Sequence, residues 1–180
     1  MAKKKKSAPD GNGASTKAAP VGDQPAGNQT EGQDAQFGVL AQFVKDLSFE
    51  SPNSPLSLQA PGENPKLEVN VQVQAIKHAD DVYEVDLMFE AKAESDAGVI
   101  YNIELVYGGM FHASNIPDEY MNQVLFVDAP IVIFPFMRRV VADLTRDGGF
   151  QPLLLDPIDF GALYQQNSEN ASIVDATQAN

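Results

Sequence analysis

Four stretches of this chain alternate apolar and polar residues with a period of two, and in all four the apolar members carry odd numbers. Only an extended backbone sends every second side chain to one face, so each stretch predicts a β-strand with one greasy side. The first runs Phe37, Val39, Ala41, Phe43, Leu47 and Phe49, interrupted only by Lys45. The second is Leu67, Val69, Val71, Val73 and Ala75, the third Tyr83, Val85, Leu87, Phe89 and Ala91, and the fourth Val99, Tyr101, Ile103, Leu105 and Tyr107. The short turn-formers at 78–81 and 95–98 predict hairpins, hence antiparallel neighbours. The Pro-rich segment from Ser51 to Pro65 is too long for a hairpin and is expected to cross the sheet or its edge.

The even-numbered face is different in kind. It presents Asp46, Glu50, Glu68, Glu84, Asp86, Glu90, Glu94 and Glu104 against Lys66 and Lys92, an acidic plate. A solvated surface that keeps the protein soluble and a docking site for a partner are both open readings of it.

Beyond the strands, Asp118 to Val127 reads as a short helix, and Pro130 opens a longer one to about Arg146, stopped by Gly148-Gly149, with Pro135 near its first turn. The apolar residues from Val132 to Leu144 span an arc of roughly 200° at 100° per residue, about twice what a surface helix needs. One sheet cannot cover that arc, so either another element of the same chain or a second copy of the chain is expected to bury the rest, the latter making an oligomer. A final helix is expected from Asp156, as N-cap, with Pro157 at its first position.

Composition narrows the function. A formal charge of −13 disfavours nucleic acid and anionic membranes. No apolar run is long enough to span a bilayer, so no membrane insertion is expected. With no cysteine and two histidines, thiolate chemistry and the common zinc sites are excluded, and no cofactor or metal is expected. The carboxylate pairs Asp80-Asp81 and Asp156/Asp159 read as turn and cap residues, and Gly108-Gly109 as a bend or bulge rather than a phosphate loop. Nothing here predicts an enzyme. Residues 1–36 hold no aromatic residue and read as a disordered arm whose lysines precede no apolar signal segment, so a cytoplasmic protein is expected. The organisation is then an arm at 1–36, a folded domain at 37–166 and a flexible tail at 167–180.

Several segments carry a family resemblance. They are Asp46 to Pro55, Ala79 to Val85, Tyr107 to Phe111, Phe134 to Arg138 and Gly149 to Phe160, in order and at nearly constant spacing. Over about residues 37–166 the chain resembles SecB, the bacterial export chaperone. The resemblance implies an α+β fold, a four-stranded antiparallel sheet with C-terminal helices packed on one face, assembled as a homotetrameric dimer of dimers. It implies ATP-independent holding of unfolded precursor proteins and delivery to the translocase motor SecA, which docks through a zinc-bearing basic segment. By position, the SecA-binding residues would be Asp46, Glu50, Asn102 and Glu104, and the assembly residues Ile103, Leu105 and Tyr107. Client grooves would be lined by Leu58, Leu67, Val69, Val71 and Phe136. A SecB-like chaperone dedicated to one client, such as an antitoxin, would share the fold.

Overall fold

The computed structural model describes residues 34–167 and 171–177; the expectation of a disordered arm falls almost wholly outside them. The strands lie where the alternation put them: β1 is Gln36–Glu50, β2 Lys66–Ala79, β3 Val82–Ser95 and β4 Gly98–Ser114. β2, β3 and β4 form an antiparallel meander, with the β2–β3 turn closed by Asp81 at φ 59°. β1 pairs with β4, so the chain must cross from one side of the meander to the other to begin β2. The Pro-rich segment makes that crossing, carrying one short helix, α1 (Leu56–Gln59). It is pinned to the strand ends by Ser51 Oγ donating to the Ile100 carbonyl (2.9 Å), Asn53 Nδ2 to the Val99 carbonyl (2.9 Å) and Ser95 Oγ to the Pro61 carbonyl (2.6 Å).

The sheet is neither four-stranded nor wholly antiparallel. A fifth strand, β5 (Ile173–Asp175), pairs in parallel with β2, giving the order β1-β4-β3-β2-β5. Its three residues lie in the segment expected to be a flexible tail, and they are too few for a periodicity to show in the sequence.

The helices also depart from the expected pieces. α2 (Asp118–Gln123) runs without a break through a π-helical turn at Val124–Asp128 into α3 (Ala129–Asp147). Pro135 is therefore inside α3 rather than in its first turn, where it removes one backbone hydrogen bond from an exposed side of the helix. α3 ends where the glycine pair predicts, with Gly149 in the left-handed region at φ 89°. The last helix, α4 (Phe160–Asn167), begins one turn later than expected. Asp159, not Asp156, caps it, its Oδ1 accepting from the Ala162 amide at 2.9 Å.

The helices cover one face of the sheet. Val85, Leu87 and Phe89 of β3 and Ile103, Leu105 and Phe111 of β4 are almost fully buried against Leu125, Ile133, Met137 and Val141. β1 breaks the alternation in mid-strand, whereas the register shifts of β2 and β4 lie beside their turns. Bulges between Val39 and Ala41 and between Val44 and Asp46 each add a residue, so the segment between them has inverted phase. Phe37, Val39, Leu47 and Phe49 keep the helix-covered face by register, while Phe43 stands opposite Gly108 on the outer face.

Candidate functional site: the outer sheet face and the β2 edge

The register sorts the even-numbered carboxylates of the outer face into two groups. At the end near the crossover, Glu104 stands directly opposite Glu90, with Ser48 on its other side, and Asn102 stands between Glu50 and Lys92, which in turn faces Glu68. Ser48, Glu50, Glu68, Glu90, Asn102 and Glu104 surround an open depression of about 430 Å³. The four glutamates are exposed. Glu104 and Glu90 are like charges on directly paired positions, an arrangement that costs stability and attracts a cationic partner. Asn70 Nδ2 reaches Glu90 Oε2 only at 3.4 Å, and Lys92 is drawn to Glu94 at 2.7 Å.

Of the positions expected to bind SecA, Glu50, Asn102 and Glu104 come together at this depression. Asp46 lies one row away, opposite Val106, exposed and outside the depression's lining. Glu90 and Glu68 join the group through the strand register, which the alternation alone could not supply.

At the other end the carboxylates are not a solvated plate at all. Glu84 is 6% and Asp86 2% exposed. Lys45, the bulge residue of β1, reaches over β4 to place its Nζ 2.8 Å from Glu84 Oε1 and 2.7 Å from Asp86 Oδ2. His78 Nε2 contacts Glu84 Oε2, so this histidine has a partner on its own face, which sequence reasoning missed. The reach is possible because β4 carries Gly108 at this row. A Cβ there would come within 2.7 Å of the Phe43 ring and 2.9 Å of Asp86 Oδ1. The glycine pair is thus no bend or bulge: both residues are in regular register, and their missing side chains make room for others.

This burial perturbs the charges. Burial pushes the Asp86 carboxyl above its ordinary value, and the Lys45 ammonium pulls it back only in part. Burial also raises Glu84, but hydrogen bonds from Lys45 and His78 outweigh it and leave the group below the usual range. Burial would lower Lys45, and the two carboxylates more than reverse that.

The expected assembly residues Ile103, Leu105 and Tyr107 sit on the helix-covered face, at most 7% exposed, enclosed by their own chain. Large apolar side chains left open elsewhere include Phe37, Val39, Leu40, Val44 and Leu47 on β1 and Ile131, Val132 and Phe136 on α3.

The expected client-groove residues divide. Leu67 and Val69 are each 45% exposed near the start of β2, and Val71 follows on the same face. Val71 and Val73 line a cavity of about 620 Å³ with Leu163 and Tyr164 of α4. Leu58 is on α1, against Gly149 at the end of α3. Phe136 lies two residues, or about 200° of helical rotation, from Phe134, whose ring meets Phe160 of α4. Phe136 is therefore on the flank of α3 turned away from α4, and it is not among the residues lining that cavity.

Among the described residues no cluster of His, Asp or Glu could hold a metal ion, and no helix is long and apolar enough to cross a membrane. Comparison with known proteins gives a consistent result. Residues 30–171 match the family model described as preprotein translocase subunit SecB. The protein-export protein SecB of a Bradyrhizobium species is 44% identical over 169 residues, 94% of this chain and 96% of that one. The protein of the same name from Mesorhizobium japonicum is 48% identical over 153 residues, 85% of this chain and 91% of that one. Among solved structures, a SecB-like chaperone of Mycobacterium tuberculosis in complex with a peptide from an antitoxin superposes with a TM-score of 0.56 over 69% of this chain and 90% of that one. At 13% identity that likeness concerns the fold. The chain belongs to the SecB family, a family of chaperones and not of enzymes.

Proposed function

We propose that this protein holds unfolded precursor polypeptides in the cytoplasm without using nucleotide, keeps them competent for translocation, and delivers them to SecA. The observation that carries the reading is the start of β2, where Leu67 and Val69 stand exposed beside a strand edge that has no partner among the described residues. An unfolded chain offers both backbone groups for such an edge and regularly spaced side chains for such a wall, whereas a folded protein hides both. The export function of the relatives at 44–48% identity favours general export over a client-dedicated role.

The working form is a homotetramer, a dimer of dimers. Burying each of the exposed β1 and α3 side chains would contribute roughly 1.5–3 kcal/mol. In this form Phe136 and Leu58 extend the apolar walls, and several grooves on one assembly raise avidity. SecA docks on the acidic depression, with Asp46 at its margin and Glu50, Asn102 and Glu104 within it. Ile103, Leu105 and Tyr107 serve assembly indirectly, by fixing the core on which β1 rests.

The test dilutes a chemically unfolded precursor into buffer with and without this protein, with no ATP present. Stoichiometric suppression of aggregation, with no binding to the folded mature form, is expected; a requirement for ATP would overturn the proposal. Light scattering should report a tetramer. Leu40→Asp or Val44→Asp should split it while the chain stays folded, whereas Leu105→Asp should unfold the chain itself.

A further inference from the structure

β2 is the last long strand of the sheet, and among the described residues only Ala75, Ile76 and Lys77 of its fourteen residues have a partner on the outer side. That partner is the chain's own C-terminal segment. Ile173 stands opposite Ala75, Val174 opposite Ile76 and Asp175 opposite Lys77, and the Ala176 amide donates to the Lys77 carbonyl at 3.0 Å. Ile173 and Ala171 pack on the core, while Ala171 and Val174 wall the cavity shared with Val71 and Val73. The segment thus has the form expected of a bound client: extended, hydrogen-bonded to the strand edge, with apolar side chains set beside the β2 wall.

It is also held by little. A ladder of only three residue pairs lies at the low end of local stability, where opening and closing are frequent. We infer that β5 is a built-in occupant of the client groove, displaced when an unfolded polypeptide with adjacent apolar residues adds to the β2 edge, running parallel to β2 at this end. This rests on the holding function proposed above. Because the tail is tethered, it competes at high effective concentration. The apparent client affinity is then reduced by the fraction of molecules in which the edge is open, so a tail docked nine-tenths of the time weakens binding about tenfold.

Two full-length variants test this, with a reduced and alkylated, permanently unfolded polypeptide as probe. Ile173→Asp with Val174→Asp should release the tail and tighten probe binding about tenfold. The chain has no cysteine, so Lys77→Cys with Asp175→Cys introduces a single pair across the ladder. Oxidation of that pair should lock the tail and weaken binding about tenfold or more, with full recovery on reduction. Equal affinity in the oxidised and reduced forms, or weaker binding by the released variant, would overturn the inference while leaving the holding function intact. Failure of every form, wild type included, to bind the probe would overturn both.

Discussion

The outer face of the sheet carries carboxylates at both ends, and their surroundings are opposite. Near the crossover, Glu50, Glu68, Glu90 and Glu104 are exposed, and Glu90 and Glu104 face each other across the ladder. At the far end Glu84 and Asp86 are buried under Lys45, His78 and Phe43. The buried pair lies on β3, which also carries the exposed Glu90, so the difference does not come from β3 itself. It comes from β1, whose two bulges turn Phe43 outward and aim Lys45 across the empty row at Gly108. One end keeps its charge available to a partner, and the other uses its charge inside the molecule.

The largest effect expected from breaking this contrast is at the covered end. Lys45→Met would strand two buried carboxylates, a loss of about 2–3 kcal/mol. This lies below the range for fully buried pairs, because Lys45 is itself 43% exposed and water shields part of the interaction. Denaturant midpoints at neutral pH check this, and the loss should shrink when Asp86→Leu is added. Gly108→Val should cost about 1–3 kcal/mol by forcing Phe43 and Asp86 apart.

At the open end, stability should barely move and binding should. Glu50→Lys with Glu104→Lys is expected to weaken SecA binding about tenfold, as measured by titration calorimetry, with the gap narrowing in high salt. The same pair should leave aggregation suppression unchanged. A variant that binds SecA normally would reduce the acidic depression to a solubilising surface.

A smaller effect, on the order of 1 kcal/mol, separates the two buried carboxylates by the sign of their pH dependence. The folded-state value of Asp86 is raised, so its favourable contribution is present below its ordinary value of 3.8 and is lost as pH rises through the higher folded value. Glu84 is lowered, so its contribution is present above 4.5 and is lost as pH falls through the lower folded value. Relative to wild type, Asp86→Asn should therefore fare worse as pH drops from 6 to 4, and Glu84→Gln should fare better as pH drops below 4.5. Parallel curves for the two variants would show that Lys45 does not distinguish them. Smallest of all, Glu90→Lys should stabilise the chain by a few tenths of a kcal/mol by relieving its opposition to Glu104.

The alternation of apolar residues was enough to place four strands, their hairpins and the crossover, because a period of two has one backbone that satisfies it. The wide apolar arc of α3 was likewise legible, and Ile131, Val132 and Phe136 are its large side chains left exposed. The division of the acidic face was not legible, since all of its members share the same parity. One signal was present: Lys45 was the single polar residue in an apolar slot of the first strand, and it marks the bulge. The register that brings Glu90 to Glu104, the cap at Asp159, the continuous helix through the π turn and the pairing of β5 with β2 were decided only in three dimensions. Each depends on which residues meet across the sheet or against a neighbouring element, and local periodicity carries no information about partners distant in the chain.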